Sequence, residues 1–249
     1  MKVFVISLKQ STERREVVRQ MLDEDDVSFE FFDAVDLSTS DIYSRYNKEE
    51  TLKKKGYVLT DPELGCFASH RALWQKCVDL EEPLLILEDN LQLNSSIRNS
   101  LSLLGKRVEG LGIIKLGCIF DYDYFSVHRL NEEFEIVKYK KGASGTSGYM
   151  ISPDVAKHYL DCSSCFYQPV DDLMENEWLT NTPLYSVYPS IISRRVTKST
   201  IGNRKDKKNT TFLMKVRSEA YRGFYRLGRF LFNVKFLLKM KVKSFFKAV

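Results

Sequence analysis

With 249 residues and 43% hydrophobic content, the chain can bury one substantial core; this excludes global disorder and leaves room for one α/β domain with an appendage. Its net charge of +5 conceals an asymmetry: residues 194–249 carry 17 Lys and Arg against two acids, whereas residues 1–193 carry 21 basic and 31 acidic residues. The organisation expected is an acidic domain over 1–193 and a basic tail over 194–249, the tail pointing to an anionic partner surface.

The run from Val3 to Leu8 is too short for the apolar core of a signal peptide, and VFVIS reads as a first strand. No segment approaches the ~20 apolar residues of a membrane-spanning helix. Ser11 starts a helix whose Val17, Val18, Met21 and Leu22 share one face. FEFFDAVD (29–36) is a second strand, and this β-α-β order predicts a parallel pair. Residues 38–61 are polar and read as short helices or a mobile connection. A strong helix follows over 63–80, carrying Leu64, Phe67, Leu73, Trp74, Cys77 and Leu80 and ended by Pro83, with Trp74 in the core.

LLILEDN (84–90) is a short apolar run that opens into Glu88, Asp89 and Asn90. Four apolar residues bounded by charge suit a sheet-core strand. Ligands of open α/β sheets bind beyond the carboxyl ends of strands. A divalent cation and the diphosphate it neutralises are therefore expected here, the alternative being a solvated acidic turn. IIKLG (113–117) and FEIVKYK (134–140) are further strands. Glycines at 142, 145 and 148 allow close backbone approach to a ligand, although GxxxxGK[ST] is missing. Pro153 opens a helix to Leu160, PVDD places Asp171 and Asp172 at a helix start, and YSVYPSII is a final strand. Residues 211–249 interleave aromatics and Leu with ten basic residues against one acid. That is the composition of an interfacial helix, the alternative being a helix packed on its own domain. No nucleic-acid motif accompanies the charge, so no nucleic-acid partner is expected.

Five scattered cysteines make a poor disulfide framework and suit a reducing compartment. Cys162-x-x-Cys165 has redox or half-zinc spacing, but with only His158 nearby a structural or incidental role is expected.

Three segments together resemble glycosyltransferase family 25, the lipooligosaccharide galactosyltransferases of Gram-negative bacteria and their collagen-modifying relatives. They are VFVISLKQSTERR (3–15), ELGCFASHRALWQK with LLILEDN (63–90), and GTSGYMIS with PVDDLM (145–174), followed by YSVYPSII. The resemblance spans about residues 3–193. It implies a GT-A-like nucleotide-sugar-binding fold with a mainly parallel central sheet. It also implies an inverting sugar transfer from a UDP-sugar, most often UDP-galactose, to a lipooligosaccharide or lipopolysaccharide acceptor.

By the same resemblance Ser7, Leu8, Arg14 and Arg15 line the nucleotide pocket, Asp33 and Asp36 meet ribose or base, and Ser69 and His70 hold the donor. For the arginines a solvated helix face is the alternative, and for His70 a structural role. Glu88, Asp89 and Asn90 stand where the family carries a DxD-like triplet; Asp89 and Asn90 would ligate Mn2+ or Mg2+. Asp171 and Asp172 are candidates for the catalytic base, with Asp171 preferred and helix capping as the alternative. The acids after LLIL and those of PVDD are expected to face each other across one cleft. Asn90 departs from the usual final Asp, which leaves open a weak or inactive relative that binds membrane or glycan. The location expected is cytoplasmic, peripheral on the inner face of the bacterial inner membrane, with a lipid-linked oligosaccharide as acceptor.

Overall fold

In a computed structural model of the protein, residues 1–120, 122–195 and 212–247 are described, with side chains of the last helix over 216–241. The expected opening unit is present as β1 (Lys2–Ser7), α1 (Thr12–Glu24) and β2 (Glu30–Asp33). A 3-10 turn (Leu37–Thr39), α2 (Ile42–Arg45) and α3 (Lys48–Lys55) fill the polar stretch, followed by α4 (Asp61–Leu80) and β3 (Leu84–Glu88). Next come β4 (Leu91–Leu93), α5 (Ile97–Leu111), β5 (Ile113–Lys115), β6 (Tyr124–Arg129), β7 (Glu135–Tyr139) and β8 (Gly148–Ile151). The chain continues through α6 (Pro153–Cys162), α7 (Val170–Glu175), α8 (Glu177–Thr180), β9 (Tyr185–Tyr188), β10 (Ile192–Arg194) and α9 (Phe212–Lys247).

Eight strands form one sheet in the order β2-β1-β3-β8-β5-β9-β7-β6, and β4 pairs with β10 in a second. β1 is parallel to β2 and β3, and β5 to β9. β8 runs against β3 and β5, and β7 against β9 and β6. Six strands thus point one way and two oppose them, which is the mainly parallel α/β sheet expected.

Both faces of this sheet are buried, which explains why its strands read as apolar runs instead of alternating. Phe4 and Ile6 of β1 and Leu84 and Ile86 of β3 join the core under α4 and α6. Val3, Val5, Leu85 and Leu87 point to the opposite core, under α1 and α5. α4 begins two residues earlier than its apolar pattern, because Thr60 and Glu63 form a reciprocal capping box. It ends at Leu80 with Glu81 in the left-handed region at φ 53°, before Pro83 can act.

Some boundaries differ from the sequence reading. Val17 is 41% exposed while Val18 and Leu22 are fully buried, so α1 uses a narrower stripe than expected. The strand over 185–192 is broken: β9 stops at Tyr188, Tyr188–Pro189 is cis, and β10 pairs in the other sheet. α5, α8, β4, β6 and β8 lay outside the reading of the sequence.

Along one face α9 packs on the body. Lys138 Nζ, on β7, donates to Glu177 Oε2 at 2.8 Å and to Asn233 Oδ1 of α9 at 2.7 Å. Gly228 lets α9 approach Trp178, where an added Cβ would come within 2.6 Å of the indole. Tyr167 and Tyr225 hydroxyls meet at 2.7 Å. Neighbouring lysines of α3 serve both helices: Lys54 lies 3.9 Å from the Tyr167 ring centroid and 4.9 Å from that of Tyr221, and Lys55 Nζ pairs with Asp172 at 2.7 Å. Away from that face Leu227, Phe230, Leu231 and Leu238 are exposed, while Phe224, also exposed, meets the Trp178 ring edge-on at 5.3 Å. Among the described residues no helix is long and apolar enough to cross a membrane. The stretch 196–211, most of the expected linker, lies outside the described residues.

Candidate active site

The parallel register sets Ser7 beside Asp33 and Ile6 beside Glu88 at the carboxyl ends of β1, β2 and β3. A cleft of about 740 Å³ opens there. Ser7, Leu8, Arg14, Asp33, Asp36, Ser69, His70, Glu88, Asp89 and Asn90 all line it, joined by Cys66 and Arg194. Ten of the thirteen residues singled out from the sequence are therefore gathered at one place; the other three are Arg15, Asp171 and Asp172.

Their hydrogen bonds divide them by task. Ser7 Oγ donates to Asp89 Oδ2 at 2.7 Å, and Arg14 reaches Asp89 Oδ1 at 3.4 Å. Arg15 is turned to the strand ends: it pairs with Asp33, donates to the Ser7 carbonyl at 3.0 Å and lies 4.9 Å from the Phe31 ring centroid. Asp36 caps the 3-10 turn through the Ser38 N–H, which holds its carboxyl below the usual range. Ser69 is fully buried; its Oγ donates to the Gly65 carbonyl at 2.7 Å and accepts from Val35 N–H at 2.9 Å, pinning α4 to the segment after β2.

Glu88 is the most heavily engaged carboxylate. Thr146 Oγ1 donates to Oε1, and Asn90 Nδ2 donates to Oε2 at 3.0 Å. His70 Nε2 lies 3.4 Å from Oε1, while Nδ1 lies 2.8 Å from the Tyr149 hydroxyl. Trp74 Nε1, a donor only, reaches the same hydroxyl at 2.9 Å. A consistent proton order follows for neutral His70: Trp74 donates to Tyr149, Tyr149 to Nδ1, and Nε2–H to Glu88. Burial would raise the Glu88 carboxyl, but the partners His70, Thr146 and Asn90 outweigh it and hold it at about 2.

Because a carboxylate only accepts, the Asn90 amide must turn its NH2 to Glu88, and its Oδ1 points away. That oxygen is buried without a hydrogen-bond partner in the described structure. An orphaned amide oxygen in a cleft that the Asp89 carboxylate also lines fits a hard, oxygen-seeking cation such as Mg2+ or Mn2+.

Asp171 and Asp172 do not line this cleft, contrary to the expectation that both acid groups share it. Asp171 accepts from the Asp172 N–H at 3.0 Å, and Asp172 pairs with Lys55. Between the two groups runs the glycine-rich segment 142–148. Lys115 is buried there, its ammonium donating to the carbonyls of Ala143 and Gly145. Burial lowers its pKa, opposed by the charges of Glu175, Asp171 and Glu88. The two acidic groups thus flank one buried cation on either side of a loop. Glu175 is pushed up by burial to about 7.

The sequence profile of glycosyltransferase family 25 (LPS biosynthesis protein) matches residues 1–174. The chain belongs to glycosyltransferase family 25. It is 28% identical over 202 residues to the lipooligosaccharide biosynthesis protein lic2B of Haemophilus influenzae, covering 76% of this chain and 74% of that one. To the lacto-N-neotetraose biosynthesis glycosyltransferase LgtE of Neisseria meningitidis it is 25% identical over 211 residues, 77% and 73% of the two chains. A relative from Acanthamoeba polyphaga mimivirus is 28% identical over 183 residues; the match covers 65% of this chain and about half (52%) of that protein.

In this family 25 chain the α/β sheet carries the cleft at the carboxyl ends of the parallel strands β1, β2 and β3. Sequence reasoning missed Thr146, Tyr149, Lys115 and Glu175. Thr146 and Tyr149 fall within the quoted GTSGYMIS segment, so the signal was present without a role. Lys115 falls within the IIKLG strand without being singled out, and Glu175 lies just beyond PVDDLM with no reading attached to it.

Proposed function

We propose that this family 25 glycosyltransferase moves a sugar, galactose from UDP-galactose, onto a lipid-linked oligosaccharide with inversion at the anomeric carbon. The observation that carries this reading is the cleft at the ends of β1 and β3, lined by Asp89, its partner Arg14, and Asn90, whose buried amide oxygen has no hydrogen-bond partner. In this scheme Asp171, outside the cleft as it stands, would serve as base once the acceptor is bound: it would take the proton of the acceptor hydroxyl as that oxygen attacks the anomeric carbon and the bond to the diphosphate breaks. Asp172, engaged by Lys55, positions α7. Arg14 offsets charge on the departing diphosphate. Asp89 and Asn90 hold Mg2+ or Mn2+, which when bound supplies further positive charge to the same leaving group.

The exposed face of α9 supports a peripheral location on the inner face of a bacterial inner membrane. Phe224, Leu227, Phe230, Leu231 and Leu238 are exposed alongside the basic residues Arg222, Arg226, Lys235 and Lys239. Apolar bulk with basic flanks suits anionic headgroups, and like charge opposes a second copy on this face.

Incubating the chain with labelled UDP-sugars, Mn2+ and truncated lipooligosaccharide tests the enzymatic reading. Transfer from one donor is expected; neither transfer nor donor hydrolysis with any sugar overturns it.

A further inference from the structure

We propose that Cys66, His70 and Glu88 form a binding site for a zinc-class ion, distinct in chemistry from the oxygen site at Asp89 and Asn90. Cys66 and His70 lie four residues apart on α4 and so project from the same helix face. Glu88 closes β3 opposite them. The Cys66 thiol sulfur, a ring nitrogen of His70 and a Glu88 carboxylate oxygen all lie within 4.8 Å of one another, with His70 Nε2 and Glu88 Oε1 at 3.4 Å. Tetrahedral Zn2+ with S, N and O ligands needs separations of roughly 3.3–3.7 Å. Small side-chain movements therefore close the set.

All three residues line the cleft, so the fourth coordination position opens on solvent and donor. Three protein ligands plus one open position is the arrangement of a reactive or regulatory zinc site; a structural site would be closed by a fourth side chain. Thiolate and imidazole also select against Mg2+ and Mn2+, which prefer oxygen. The surrounding shell suits the ligands. When Nε2 binds the ion, the imidazole proton sits on Nδ1, facing the Tyr149 hydroxyl oxygen at 2.8 Å. The thiol S–H bond breaks as the S–metal bond forms, and one proton leaves to solvent per ion bound. Occupation draws Glu88 Oε1 from Thr146 and His70, so the ion and the present Glu88 contacts are alternatives.

Cobalt titration of the full chain, without donor or acceptor, provides the test. One equivalent of Co2+ is expected to give the visible bands of four-coordinate cobalt with near-ultraviolet thiolate-to-cobalt charge transfer, both abolished by Zn2+. Cys66→Ser should remove the charge-transfer band and weaken binding at least ~10-fold. It is the variant of choice because Cys66 is only half-buried, whereas His70 is fully buried. A Cys162→Ser/Cys165→Ser variant should keep the band. Absence of charge transfer in the parent chain overturns the proposal, as does a band that survives Cys66→Ser or vanishes with the Cys162 and Cys165 pair. Since no sugar is present, a chain inactive in transfer would still give the cobalt result.

Discussion

The Asn90 side chain gives its NH2 to Glu88 Oε2 at 3.0 Å, and this contact assigns the orientation of the whole amide. Asn at this position is therefore built into the cleft. An Asp there would set a second carboxylate against Glu88, where like charges disfavour each other. Asn90→Asp is expected to destabilise the metal-free protein by roughly 1–3 kcal/mol, with partial recovery on adding Mn2+. Thermal melts with and without the ion measure this. A large gain in metal-dependent turnover in place of that loss would mark Asn90 as a degraded ligand.

The Lys138–Glu177 pair is nearly inaccessible to solvent, and Lys138 also holds Asn233 of α9. Removing one partner strands a buried charge. Glu177→Gln should cost about 3–5 kcal/mol in denaturant unfolding, whereas a combined Lys138→Met/Glu177→Leu variant should cost far less. Equal losses in the two variants would mean that packing, not charge, holds this contact.

Glu175 links stability to pH. Burial raises its folded carboxyl from 4.5 to about 7, so between those values the folded state keeps a proton that the unfolded chain releases. Its contribution is full below about pH 4.5 and is lost as the pH rises through about 7. Glu175→Gln should flatten this slope and stand about 1–2 kcal/mol above the parent at pH 8. Urea titrations at pH 5 and pH 8 provide the comparison; an unchanged slope refutes the assignment.

Exposed leucines on α9 can be changed without touching its packed face. Leu227→Ser/Leu231→Ser is expected to release the chain from anionic liposomes at moderate salt while leaving its unfolding midpoint within ~1 kcal/mol. By contrast, Gly228→Ala should lower stability by about 1–3 kcal/mol, because its methyl meets Trp178. Undiminished vesicle sedimentation of the double serine variant removes this face from consideration as a membrane contact.

Much of the site was legible because it is local to strand ends. β1 and β3 announced themselves as apolar runs, and parallel pairing then brings Ser7, Asp33 and Glu88 together without further information. Arg15 illustrates the limit: its type and position match Arg14, yet only the fold turns one to the cleft and the other to Asp33 and Phe31. Asp171 and Glu88 lie 83 positions apart, and whether they share a cleft depends on the loop 142–148, whose path no periodicity encodes. Lys115 was hidden because a strand residue buried on both faces normally reads as apolar; its ammonium is accommodated by loop carbonyls. α5 escaped notice because Gly105, Gly110 and two serines, Ser100 and Ser102, dilute its apolar stripe of Ile97, Leu104 and Val108.

The adjacent lysines of α3 have a mechanical consequence. One holds the tyrosines through which α9 sits on the body, and the other holds the acid-bearing turn of α7. A single turn of helix thereby fixes the distance between the surface that would rest on lipid and the carboxylates beside Lys115. A load applied to the C-terminal helix would pass through α3 toward α7 and Asp171, so any tethering of α9 would bear on the placement of that acid.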